Sequence, residues 1–107
     1  MTGMPRPFAL SVDDTNGDPV VRVAGEVDMD TAPHLEERLR QLAQAGTPVI
    51  TLDLADIDFI DSTGLHAIVV AVKELRAYGG DLVLRSPTPS TARVLELSGL
   101  TNVVKVV

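Results

Sequence analysis

An α/β fold built on a mixed, mostly parallel sheet is predicted by three features of this 107-residue sequence. Two strand-like runs near the start are separated by only six residues, Asp13 to Asp18, so they pair most simply as an antiparallel hairpin. From the second of these runs onward, strand and helix patterns alternate, which requires right-handed crossovers and a parallel core sheet. The apolar residues are mainly Leu, Val, Ile and Ala, with no Trp. At 45% hydrophobic content they suffice for one core in one domain.

Residues 1–7, with two prolines and a glycine, read as a flexible tail ahead of a domain spanning 8–107. Phe8 to Val12 is the first strand, and Asn16-Gly17 marks the turn after it. Pro19 to Ala24 is the second strand, with Val21 and Val23 on one face and Val20, Arg22 and Ala24 on the other. Gly25-Glu26-Val27-Asp28 leaves that strand. Asp30 or Thr31 then caps a helix with Pro33 in its first turn, and Leu35, Leu39 and Leu42 mark its buried face. Gly46 and Pro48 stop it. The third strand covers 49–54, and the second helix covers 62–78 and ends at Gly79-Gly80. Leu82 to Arg85 forms the fourth strand. A short third helix starts at Ser90 or Thr91 and closes at Gly99, and Val103 to Val107 reads as a last strand at an edge.

Nine basic against fifteen acidic residues leave a net charge of −6. Nucleic acid and anionic membrane surfaces need the opposite sign, and no basic stripe with interleaved aromatics is present. The longest uninterrupted aliphatic run, Ala67 to Val72, is far too short to span a bilayer. A protein partner with a basic face is the natural counterpart of such a charge. There is no cysteine, which removes thiol catalysis, disulfides and thiolate zinc sites. The start has no apolar core of signal-peptide length, so a cytoplasmic protein is expected.

Chemistry concentrates at Asp58-Phe59-Ile60-Asp61-Ser62-Thr63-Gly64-Leu65, where the third strand and an acidic loop give way to the second helix. Leu65, Ile68, Val69, Val72 and Leu75 give that helix a face to bury. Ser62 therefore falls at or near its first position, where backbone N–H groups lack intrahelical partners. It can serve as a cap, or as a phosphate acceptor at the positive end of the helix dipole. Ser62, His66, Val70 and Lys73 form a stripe away from the buried face, with Ala67 and Glu74 beside it. Such a mixture of small and apolar residues around a hydroxyl suits docking. Asp28 follows the C-terminal end of one parallel strand and Ser62 that of the next. Asp28, Asp58, Asp61 and Ser62 should therefore gather on one rim of the sheet.

Other chemistries fit poorly. A G-x-S-x-G elbow is absent, since Ile60 and Gly64 flank Ser62, and nothing orients His66 as a base. His34 and His66 are the only histidines and belong to no metal motif, and neither glycine-rich phosphate motif occurs. No metal, no cofactor and no enzymatic activity are expected. Asp13-Asp14 invites comparison with a phospho-aspartate receiver. Receivers carry a helix between their first two strands, where only a turn fits here.

The chain resembles a stand-alone STAS domain of the anti-sigma factor antagonist family over essentially its whole length. Gly25-Glu26-Val27-Asp28 matches the family's G-E-[LIV]-D, Asp61-Ser62-Thr63-Gly64-Leu65 its D-[ST]-[ST]-G-L, and Leu97-Ser98-Gly99-Leu100 its late S-G-L. The resemblance implies that Ser62 is phosphorylated by an anti-sigma factor that is also a serine kinase. It implies that the unphosphorylated form binds this kinase and so frees a sigma factor, and that a serine phosphatase acting on Ser62 resets the switch. Taken with the helix stripe, it nominates Asp28, Asp61, Ser62, Thr63, Gly64, His66 and Val70 as partner-binding residues. His66 departs from the pattern, because members often carry glycine there, and this bears on partner choice. The family also contains scaffold subunits of stress-signalling complexes and subunits of lipid transport systems. In that alternative Ser62 is only a helix cap.

Overall fold

The computed structural model describes residues 6–14 and 17–107. Its elements are β1 (Ala9–Asp13), β2 (Val20–Val27), α1 (Ala32–Gln44), β3 (Val49–Ile60), α2 (Ser62–Ala77), β4 (Asp81–Arg85), α3 (Pro89–Leu97) and β5 (Lys105–Val106), with a 3₁₀ turn at Leu100–Asn102. The strands form a five-stranded sheet in the order β1-β2-β3-β4-β5. β1 pairs antiparallel with β2, and every other pair is parallel. The expected mixed α/β fold with an N-terminal hairpin is therefore the fold observed.

Sequential parallel strands joined by right-handed crossovers carry their connecting helices on one face of the sheet. Burial follows that geometry. Val21, Val23, Ile50, Leu52, Leu54, Leu82 and Leu84 are buried, while the alternating Arg22, Thr51, Asp53, Val83 and Arg85 are not. The buried set packs with Leu35, Leu39 and Ala43 of α1, Ile68, Val72 and Leu75 of α2, and Leu95 of α3. On the opposite, solvent-facing side Arg22 approaches Asp13 (3.7 Å) and Asp53 (4.0 Å), and Arg85 holds Asp53 at 2.7 Å.

Two strands run further than their sequences suggest. β2 continues past Ala24 to Val27, and β3 continues past Leu54 to Ile60, so the stretch read as an acidic loop is strand. The pairing absorbs extra β3 residues at two register shifts, one opposite Arg22/Ala24 and one opposite Gly25/Glu26. Such bulges break the two-residue alternation that marks a strand in sequence. Asp53 stabilises the first, its Oδ1 accepting the Ala55 N–H at 2.9 Å. Gly25 sits at the second with φ +90°, and a Cβ there would lie 2.9 Å from the carbonyl oxygens of both Arg6 and Pro7. The incoming chain therefore lies directly against β2 at this point.

Smaller differences concern ends and faces. α3 begins at Pro89, capped by Thr88, and β5 is confined to Lys105–Val106. Ala67 is buried, contrary to its expected place beside the exposed stripe. α1 packs on α2, which widens the face that α2 must bury beyond what the sheet alone would cover. Asn16 of the expected turn, and residues 1–5 of the expected tail, lie outside the described residues.

Candidate functional site

The site is built where β2 and β3 end. Val27 and Ile60 are register partners, and the Asp61 N–H donates to the Val27 carbonyl at 3.1 Å. Asp28 and Asp61 thus leave adjacent strand ends, and Ser62 begins α2 one residue later. The strand order brings Asp28, Asp61 and Ser62 to one rim, as the topology required.

At the start of α2 the cap is Asp61. Its Oδ1 accepts the N–H groups of Thr63 (2.9 Å) and Gly64 (3.1 Å), satisfying two donors that a helix start otherwise leaves unpaired. Ser62 occupies the first helical position and is exposed. Among the described residues its hydroxyl has no hydrogen-bond partner. The reading of Ser62 as the cap is thereby corrected: a carboxylate one residue earlier performs that task and leaves the hydroxyl free at the positive end of the helix.

Asp28 plays a matching part at α1. Its Oδ1 accepts the N–H groups of Asp30 (3.0 Å) and Thr31 (3.1 Å). The Thr31 hydroxyl accepts the Asp28 N–H at 3.0 Å and donates to the Glu26 carbonyl at 2.7 Å. Thr31 occupies the cap position, yet its own side chain caps nothing in the helix. The expectation that Asp30 or Thr31 supplies the capping oxygen is therefore corrected. Asp28 ties the entry turn together by accepting both N–H groups.

Gly64 is buried and serves packing. A Cβ on it would meet Ile60 Cγ1 at 2.6 Å, Val27 Cγ1 at 2.8 Å and the Val27 carbonyl at 3.0 Å. The helix thus sits directly on the paired strand ends, and Gly64 offers a partner little surface of its own. Thr63 and Val70 are half-buried, and His66 and Lys73 are exposed. Val70, Lys73, Glu74 and Ala77 line a shallow depression along α2. Arg40 of α1 approaches Glu74 at 3.8 Å while holding Glu36 and Glu37 at 3.3 and 2.8 Å.

Asp58 belongs to the same end of β3, three residues before Asp61. It is exposed near the end of β3, and Arg6 binds it at 3.0 Å together with Asp56 at 2.9 Å. Arg6 has no signal in the sequence, since its partners are fifty and fifty-two positions away. No helix is long and apolar enough to cross a membrane among the described residues.

The fold and site together define a small α/β domain with its helices on one face of the sheet and an exposed, unbonded serine at a helix start. The model of the STAS domain family matches residues 9–107, and the chain belongs to that family. It is 32% identical to the anti-sigma-B factor antagonist of Bacillus subtilis (strain 168) over 97 residues, covering 91% of this chain and 88% of that protein. The crystal structure of an anti-sigma factor antagonist from Mycobacterium paratuberculosis superposes with a TM-score of 0.86 at 30% identity, covering 98% of this chain and 89% of the other. The Bacillus cell fate determinant SpoIIAA in its phosphorylated form shares the fold, with a TM-score of 0.71 at 24% identity over 94% of this chain and 91% of its own.

Proposed function

We propose that this chain is an anti-sigma factor antagonist of the cytoplasm, switched by phosphorylation of Ser62. In its unphosphorylated form it binds an anti-sigma factor serine kinase and so releases a sigma factor. The kinase, in turn, transfers a phosphoryl group to the serine. The Ser62 oxygen attacks the γ-phosphorus of ATP, the bond to ADP breaks, and the hydroxyl proton leaves to a base on the kinase. A serine phosphatase hydrolyses the ester and restores binding. The role is regulatory binding, with no reaction catalysed by this chain. The carrying observation is the exposed, unbonded Ser62 hydroxyl at the first position of α2, relieved of capping by Asp61. Relatives named as anti-sigma factor antagonists support the reading.

Magnitudes favour a switch at the interface. Phosphorylation adds about −1.5 to −2 charges. The helix start favours that charge by about 0.3–1 kcal/mol, rising to about 2 when partly buried. The neighbouring carboxylates of Asp28 and Asp61 oppose it, and these opposing effects largely cancel inside the free domain. A partner packed against an uncharged serine has no such compensation. An unmatched charge there costs at least about 2–5 kcal/mol, roughly 30-fold to several-thousand-fold in affinity. The test is incubation with the kinase and ATP followed by mass spectrometry of the Ser62 peptide. Ser62→Ala should abolish labelling and leave the chain bound to its partner whether or not ATP is present. Undiminished labelling of that variant, with the phosphate on Thr63, would sink the assignment.

A further inference from the structure

Phe8, Phe59 and Tyr78 are the chain's only aromatic residues. Phe8 is half-buried, its ring 6.1 Å from that of His34, whereas Phe59 is 51% exposed although it is the last residue but one of a central strand. Met29 is 72% exposed in the turn that Asp28 holds. Both residues bracket the Val27–Ile60 pair: Phe59 lies in register with Glu26, one residue before Ile60, and Met29 follows Val27 by two. Ser62 follows Ile60 by two. Acidic residues are their neighbours: Glu26 is the register partner of Phe59, and Asp28 and Asp30 flank Met29 in the chain. Among the described residues the one arginine recorded at this rim, Arg6, is already bonded to Asp56 and Asp58.

We infer that Met29 and Phe59 are the apolar anchors of the docking rim and fit a partner surface with an apolar pocket edged by basic side chains. The inference rests on the proposed antagonist role and names the residues that carry its binding energy. Aromatic residues and methionine are enriched in interface cores, and a few such side chains dominate affinity when a polar ring excludes water around them. The neighbouring acidic residues supply the polar surroundings and select the sign of the partner's charge. Both anchors lie within two residues of the paired strand ends, Met29 in the turn after β2 and Phe59 with Glu26 on the sheet face away from α2.

The test measures calorimetric affinity for the host's purified anti-sigma factors, one at a time and without ATP, so that no phosphorylation intervenes. Met29→Ala and Phe59→Ala should each weaken binding to the cognate factor by about tenfold or more. Both exposed truncations should leave thermal melting nearly unchanged. Tyr78→Ala, equally exposed at the far end of α2, should leave affinity unchanged. Wild-type affinity should also fall as salt rises from about 50 to about 300 mM. Affinities of the Met29 and Phe59 variants within twofold of wild type overturn this inference and leave the antagonist role standing. Affinity that is flat or rises with salt overturns the basic partner. A wild-type chain that binds none of the factors overturns both readings together.

Discussion

Asp61 and Ser62 are neighbours with opposite duties, and single substitutions should separate them. Asp61→Ala removes the acceptor for the Thr63 and Gly64 N–H groups. Losing such a cap costs about 0.5–2 kcal/mol, and each kcal/mol lowers the melting temperature of a domain this size by about 4–8 °C. Ser62→Ala breaks no bond and should melt within about 1 °C of wild type. Equal destabilisation by the two, in a thermal melt, would mean that the serine shares the capping after all. Gly64→Ala reverses a familiar trend. In an exposed helix interior alanine stabilises relative to glycine by about 1 kcal/mol. Here the new Cβ is driven against Ile60 and Val27, and overpacking of this kind costs about 1–3 kcal/mol. A Gly64→Ala variant more stable than wild type in urea would show that the strand ends can give way.

Among the elements, β3 carries both the core and the solvent-facing charge pairs of the sheet. Burial acts to raise the Asp53 carboxyl, but the hydrogen bonds from Arg85 and from the Ala55 N–H, with the charges of Arg85 and Arg22, outweigh it and hold the group below its ordinary value. A carboxylate with a lowered folded pKa contributes stability that is fully present above its unfolded pKa, about 3.9, and is lost as pH falls through the folded value. The melting difference between wild type and Asp53→Asn should therefore be constant near neutrality and shrink below about pH 4. A difference independent of pH down to 2 would exclude the charge as its source. The same strand shows what its sequence could and could not reveal. Ile50, Leu52 and Leu54 alternate with Thr51 and Asp53, so its first half was legible from period alone. From Ala55 to Ile60 two bulges scramble that period, and a strand reads there as a loop. The helix start at Ser62 was legible because Leu65, Ile68 and Val72 recur at helical spacing. The cap was not, since Asp and Ser are both good caps and only geometry distinguishes them. Ala67 was misplaced because a small residue's burial depends on α1, a neighbour that its own helical period cannot report. Arg6 was invisible for a related reason: nothing local links it to Asp56 and Asp58.

For the molecule as a whole, the rigid seating of α2 on paired strand ends predicts a local response to phosphate. Amide chemical shifts should change around residues 61–64 and at Asp28, with only small changes along 66–78. Large shifts through the length of α2 would replace the interface switch with a refolding one. The direction of the strands has a practical corollary. β1 runs opposite to β2 and so begins towards the rim that carries Ser62, whereas β5 runs with β4, whose last residue, Arg85, pairs with Asp53, seven residues before β3 ends at Ile60. A bulky group attached at Arg6, which binds Asp58 near the end of β3, would crowd whatever approaches the serine, whereas Val107 lies level with the middle of β3. The turn at Gly17-Asp18, the Ala45–Pro48 connection and Gly79-Gly80 open on the far side. Probes placed there would report on complex formation without standing in its way.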